Sequence, residues 1–269
     1  MPDPHPESFA HSPHARHAAR AVTYVRTMIA FALVWAGLAA WTHNPVLLPS
    51  PLAVLQAIVD LAGDLELFQH AAISLGRMVL ALVIASGLAV PLGLLMGLHL
   101  TLDEIVDPVI EVLRPISGIA WIPLALFIFG VGNVLPLFIM TYAAFFPILL
   151  GTIAAVRSID RNFIAAARTM GVDRGTIITR VVLPAALPAI MVAVRLGVAA
   201  AWTAVVAAEL IGAPSGVGYA VEWYRELLMT PQVMAFIATI GVLGYLCDRA
   251  VRVVAERLTP WAAETMARA

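Results

Sequence analysis

The sequence predicts an all-α integral membrane protein with about six membrane-spanning helices. Two observations carry this. Apolar residues make up 61% of the 269 and charged residues only 12%, against roughly 45–50% and about 25% in soluble domains. The apolar residues are also gathered into long runs, the signature of chains that use the bilayer as solvent.

The expected organisation follows the chain. Residues 1–20 are rich in Pro, His, Ser and Ala without an apolar period and read as a disordered cytoplasmic tail. Its His5, His11, His14 and His17 have no fold to set metal geometry. The first apolar run, about 21–42, contains Ala36-Gly37-Leu38-Ala39-Ala40, a possible cleavage region of a signal peptide. The long preceding tail favours a retained helix instead. An outer segment opens with Asn44-Pro45 and Leu48-Pro49-Ser50-Pro51, then shows helical spacing over Leu52–Leu67, a short amphipathic helix at the membrane surface.

The second span is expected over 77–98. Its Gly93-x-x-x-Gly97 allows close approach of another helix within the same subunit. Thr101–Arg114 reads as a short polar segment. The third and fourth spans, 113–130 and 134–156, carry Pro115, Pro123, Pro136 and Pro147. Prolines at membrane depth free carbonyls that neighbours must satisfy, so bent helices around a pathway are expected. The stretch 157–184 is the one long polar segment inside the apolar body. The fifth and sixth spans run about 186–211 and 233–254, separated by the Gly-rich outer loop 212–218, and a tail of 258–269 follows. No stretch is long and polar enough for a separate globular domain.

Charge sets the orientation. All 16 basic residues are Arg. Arg16, Arg20 and Arg26, then Arg157, Arg161, Arg168, Arg174 and Arg180, then Arg249, Arg252, Arg257 and Arg268 fall on one side of a six-span chain. The positive-inside rule makes that side the cytoplasm and places both termini there. A chain without Lys has no Gly-x-x-x-x-Gly-Lys-[Ser/Thr] phosphate loop. A net charge of -1 gives no bulk attraction to nucleic acid. The single Cys247 excludes a disulfide framework. No nucleophile–base pair or metal-ligand spacing is present, so neither catalysis nor a bound cofactor is expected.

The polar stretch 158–184 reads as helix, Gly, helix, Pro. Ser158 or Asp160 can cap the first helix, whose Ile159, Phe163, Ala166, Ala167 and Met170 are expected on one face. Gly171 suits the left-handed residue that ends a helix. Asp173 can cap the second, and Pro184 is expected to close it. Such a pair fits either a partner's groove or the lipid surface.

Ala165-Ala166-Ala167, Gly171 and Val181-Val182-Leu183-Pro184 resemble the EAA loop of ABC importer permeases. The pattern there is Glu-Ala-Ala, three residues, Gly, nine residues, Ile, any residue, Leu-Pro. Every spacing matches, with Ala165 in place of the Glu and Val181 in place of the Ile. Ser74-Leu75-x-Arg77, Asp107-Pro108, Ala120-Trp121-Ile122-Pro123-Leu124, Phe146-Pro147, Arg195-Leu196-Gly197, Ala207-Ala208-Glu209 and Gly216-Val217-Gly218 resemble the nitrate/sulfonate/taurine group of these permeases. The terminal Arg257-Leu258-Thr259-Pro260-Trp261 is most similar to its taurine and sulfonate branch.

The resemblance implies a type I importer permease fold of the methionine-importer kind, located in the bacterial inner membrane. It implies a homodimer, two cytoplasmic ATPase subunits that bind ATP and Mg, and an extracytoplasmic binding protein that delivers an anionic or sulfonate-type solute. Ala165, Ala166, Ala167, Gly171, Leu183 and Pro184 would form the ATPase-coupling loop. Within the spans, Arg195 either attracts an anion in transit or packs into the bundle, since an intramembrane charge is costly. Glu209 either lines an outer gate, receives the binding protein, or is structural. Trp202 and Thr203, one turn inward, either line the pathway or pack, and Asn133 and Asp248 are expected at helix ends. The reading from another class, an autonomous secondary transporter or channel, lacks the two similar halves such carriers often show.

Overall fold

The computed structural model describes residues 13–261, with side chains from Arg26 onward apart from Arg161. Among these residues every regular element is helical: α1 Pro13–Thr42, α2 Pro51–Gly63, α3 Glu66–Leu98, α4 Leu100–Leu113, α5 Ile122–Phe129, α6 Val134–Arg157, α7 Arg161–Thr169, α8 Arg174–Ile177, α9 Leu183–Gly212, α10 Val217–Glu226 and α11 Thr230–Leu258.

Four helical stretches are long and apolar enough to cross a bilayer alone: α3, α6, α8–α9 taken together, and α11. α4 joined through a short 3-10 turn to α5 is long and apolar enough only as a pair, bent by 79°, a broken span or a re-entrant loop. The sixth expected crossing falls on α1, whose described apolar part, Arg26–Thr42, is shorter. The described part of α1 includes 13–20, inside the segment expected to be a tail. Its Ala15, Ala18 and Ala19 favour helix. The tail residues before it, with His5 and His11, lie outside the described residues, as do 262–269.

Two boundaries differ from the sequence reading. The surface helix ends at Gly63, not Leu67, and the second span starts at Glu66 rather than 77. The break is Leu65 in the left-handed region, φ 60°, which turns the chain between two otherwise helical segments. The short polar segment over 101–114 is helical, α4. Its acidic Asp103 meets Arg157 at the end of α6, 2.5 Å away, which accounts for acidic residues at the Arg-rich end. The chain bends after α4 around Pro115, where the Leu113 carbonyl accepts both the Ile116 amide at 3.1 Å and the Tyr142 hydroxyl at 2.8 Å.

Pro184 does not close a helix. Between α8 and α9 the chain makes one wider π turn, Ile178–Val182, in which the Leu183 amide donates to the Ile178 carbonyl. Proline lacks an N–H and its ring crowds the carbonyl four residues back. The widened turn absorbs both, so the helix runs on from Arg174 to Gly212. Asp248 lies inside α11 rather than at its end, whereas Asn133 does precede α6.

The core is a slab in which α6 lies between α3 and α9. Met78, Ala81, Ala85, Ala89 and Met96 of α3, Met140, Ala144, Ile148 and Leu149 of α6, and Val198, Ala201 and Val205 of α9 are buried together. Lipid gives no hydrophobic drive between helices, so close van der Waals contact must hold them. Glycines supply it. A Cβ on Gly93 or Gly97 would meet Thr152 or Val156 at 2.8 and 2.7 Å, and one on Gly151 would meet Ala193 Cβ at 2.3 Å. The Gly93–Gly97 pair thus packs on α6 of the same chain. A second cluster joins α2, the start of α3, α10 and α11 at the opposite end from the Arg-rich loops.

Gly151→Val forces a side chain against Ala193, where backbone and Cβ cannot yield. It should destabilise the detergent-purified protein by roughly 1–3 kcal/mol or more, read as a lower thermal midpoint. Gly87→Val, which meets nothing within 4 Å, should leave that midpoint in place.

Candidate functional site

At the Arg-rich end the polar stretch folds into a capped helix pair. Asp160 accepts the Asn162 amide at 2.9 Å and starts α7. Gly171, at φ +76°, ends it: its amide donates to Arg168 and the Val172 amide to Ala167, the paired bonds of a Schellman cap. Asp173 then accepts the Thr176 amide at 2.9 Å and its hydroxyl at 2.6 Å. These bonds, the hydroxyl's first, hold the Asp173 carboxyl below its ordinary range. The end of α7 and the start of α8 are therefore both capped by bonds from within the chain.

The faces of α7 divide differently from the sequence expectation. Ala167 is 5% exposed and packs with Ile164, Ile177 and Val182 against the ends of α3 and α6. Phe163, Ala166 and Met170 point the other way, with Phe163 66% and Met170 75% exposed. Ala165 is exposed, while Leu183 and Pro184 are half-buried at the base of α9.

At the opposite end a buried polar node joins three helices and two loops. Glu209 of α9 is 0% exposed and Arg77 of α3 is 7% exposed. Arg77 Nη1 lies 2.7 Å from Glu209 Oε1 and also donates to the Ser215 carbonyl at 2.6 Å. Its Nη2 donates to Asn133 Oδ1 at 2.5 Å and Ser215 Oγ at 2.9 Å. Ser74 donates to the Glu209 carboxylate at 2.7–2.8 Å and accepts the Val217 amide at 2.9 Å. The Gly218 amide completes the carboxylate at 3.0 Å. Gly216, at φ +111°, leaves room that a Cβ would take 2.5 Å from that carboxylate. His70 Nδ1 accepts the Gly216 amide at 3.0 Å, and Tyr224 of α10 donates to Glu66 at 2.8 Å. Burial, with Glu66 nearby, pushes the Tyr224 phenol up to about 12, so it stays a donor.

Glu209 is therefore buried among its partners. It pins the loop 212–218 and α10 to the bundle. Ser74, Arg77 and Ser215 were not among the candidates. The signal for them was present: a Ser and an Arg one turn apart on an apolar helix, and a lone Glu on another. Two isolated intramembrane charges of opposite sign call for each other.

The remaining α9 candidates are dispersed. Arg195 makes a two-point ion pair with Asp248 of α11, one bond at 2.9 Å, and Arg252 lies 3.7 Å from the same carboxylate. Trp202 is half-buried against α11, its indole donating to the Ile240 carbonyl at 3.2 Å. Thr203 is exposed and bonds only its own helix, at Ala200. No group of three or more His, Cys, Asp or Glu side chains that could hold a metal occurs among the described residues.

The bundle thus projects a capped helix pair at one end and ties down loop 212–218 at the other. The chain belongs to the family described as binding-protein-dependent transport system inner membrane component, which matches residues 89–260. It is a permease subunit of an ABC transporter. It is 37% identical to the taurine transport system permease protein of Escherichia coli over 82% of each chain. It is 34% identical to a putative aliphatic sulfonates transport permease protein of Bacillus subtilis, over 81% of this chain and 79% of that one. Identity to the bicarbonate transport system permease protein of Synechococcus elongatus is 30%, over 76% and 78%. An inward-facing structure of the methionine ABC transporter shares the fold, with TM-score 0.56 and 20% identity over 69% of this chain and 94% of that one.

Removing one member of the buried pair strands the other. Glu209→Ala should cost roughly 3–5 kcal/mol, read by denaturant unfolding in detergent. The double variant Arg77→Met/Glu209→Leu should recover most of that loss. A single variant no worse than the double would show that the pair does not hold the loop.

Proposed function

We propose that this permease works as a homodimer in a bacterial inner membrane, with both termini cytoplasmic. Two separate ATPase subunits, which bind ATP and Mg, drive it, and a binding protein delivers its solute. The solute is a small oxyanion of the sulfonate or taurine type. The observation that carries the reading is the stripe Phe163, Ala166 and Met170. It is apolar, exposed and held on a helix whose ends are both capped, the form of a helix that fits a groove in a partner.

In this reading Ala165, Ala166, Ala167, Gly171, Leu183 and Pro184 belong to the coupling loop. The ATPases close on ATP and displace α7. Its buried side, through Ala167, bears on the base of α8–α9. Differential binding of nucleotide states then becomes rigid-body motion of packed helices.

The second copy is supported by the outward face of α9. Ala185, Ala189, Val192, Leu196, Ala199 and Thr203 are exposed at helical spacing, a mostly small, apolar strip suited to close helix approach. Thr203 is the candidate from this face for contact with solute. Arg195, neutralised by Asp248, acts on an anion only if that pair opens during transport. Trp202 supports α9 against α11, and Glu209 holds the outer loop in place of a gate. The solute class rests on the taurine and sulfonate relatives, with bicarbonate and nitrate as competitors to test.

The test is uptake of labelled taurine, an alkanesulfonate, nitrate and bicarbonate in cells expressing this permease with its partner genes. ATP-dependent uptake of the first or second is expected. Uptake that survives a Walker-lysine mutation in the ATPase would mean an autonomous carrier. Gly171→Pro removes a left-handed residue and a capping amide, and should reduce uptake to the empty-vector level while the permease remains inserted. Phe163→Glu should abolish co-purification of the ATPase. Unchanged uptake in Gly171→Pro would sink the coupling assignment.

A further inference from the structure

A cavity of about 850 Å³ lies between the helix pair α7–α8 and the ends of α3 and α6. Its floor is apolar, with Leu98, Val156, Ile164 and Ile177 among its lining. Its polar side chains are basic: Arg157, Arg168, Arg174 and His99. No acidic side chain lines it among the described residues. Arg157 is held by Asp103 at 2.5 Å. Arg168 and Arg174, both exposed, form no salt bridge among the described residues.

The position of the cavity narrows what fills it. Two membrane-spanning helices end on it, α3 at Leu98 and α6 at Arg157. Apolar spans end where hydrocarbon gives way to headgroups. Leu100, also in the wall, is 67% exposed, so the apolar lining reaches the outer surface of the protein. An apolar floor open to the side with a guanidinium rim at headgroup depth matches an amphiphile with an anionic head. Guanidinium forks suit phosphate oxygens, which accept two parallel N–H bonds.

We infer that this cavity binds the phosphate headgroup of an anionic phospholipid, with Arg168 and Arg174 as the binding cations and the apolar floor receiving the upper part of the acyl chains. Basic pockets between helices on the cytoplasmic side are a recognised form of lipid site. The lipid would bridge α7 and α8 on one wall to α3, α4 and α6 on the other. Its binding does not depend on the coupling reading. Only the consequence does: an occupied cavity fixes the helix pair against the bundle and makes nucleotide-driven transport sensitive to anionic lipid.

Phosphate oxygens also occur on soluble anions, so the test separates the sources. The full permease is purified with its partner ATPase, incubated with phosphatidylglycerol or phosphatidylcholine, and lipid retention is read by native mass spectrometry, with inorganic phosphate as competitor. Wild type should retain phosphatidylglycerol over phosphatidylcholine. Arg168→Gln/Arg174→Gln should lose retention by roughly tenfold or more, since each basic residue near a lipid surface is worth about fivefold. Arg180→Gln, on the same loop but outside the cavity, should retain lipid like wild type and controls for general loss of charge. Equal retention of the two lipids, or retention unchanged in the double variant, would overturn the site. Displacement by millimolar phosphate would overturn the lipid assignment in favour of a soluble phosphate. Should the double variant unfold, Arg168→Lys/Arg174→Lys keeps the charge without the fork and is expected to bind phosphatidylglycerol more weakly than wild type. Equal binding there would also overturn the assignment to guanidinium forks.

Discussion

The rest of this structure depends on how closely α6 can lie between α3 and α9. No water leaves these surfaces when the helices meet in lipid, so contact itself must supply the attraction. Gly93, Gly97, Gly151 and Gly197 remove the side chains that would hold the backbones apart, and Thr152, Val156, Ala193 and Ile148 fill the gaps. With that slab in place its two ends become fixed points. One end carries the capped helix pair with its outward apolar stripe. The other carries the Arg77–Glu209 node, around which loop 212–218 and α10 are tied.

The node illustrates how a membrane protein keeps a charge pair it cannot hydrate. Neither ion is left with one partner. The carboxylate takes Arg77, Ser74 and the Gly218 amide, and the guanidinium takes Asn133 and Ser215 in addition. Such a pair adds little net stability over an apolar substitute but strongly penalises any arrangement that separates its members. It therefore acts on which conformations are allowed: loop 212–218 and α10 stay with α3 and α9.

Much of the fold was legible because apolar runs and prolines carry direct physical meaning. The spans at α3, α6, α9 and α11 follow from length and hydropathy, and Gly171 from the helix end it creates. Three things were not legible. The turn at Leu65 needs a left-handed Leu, which no propensity predicts, so α3 looked shorter. The π turn before Pro184 lets a helix pass a residue that ordinarily stops it. The inward side of α7 carries Ile164 and Ala167, while Phe163 and Met170 are left outside, a division that the apolar spacing alone does not specify. Arg195 and Glu209 were legible as unusual charges. Their partners, Asp248 and Arg77, are distant in sequence and come together only through the packing of α9 against α11 and α3.

The uninterrupted helix from Arg174 to Gly212 has a mechanical consequence. At 39 residues and 1.5 Å each it is a shaft about 58 Å long, with the corner of the helix pair at its foot and Glu209 near its head. A tilt of about 10° at the foot carries the head sideways on the order of 10 Å by lever arithmetic. Glu209 is bound to Arg77 of α3, so a tilt at the foot of this helix would load α3 through the same node.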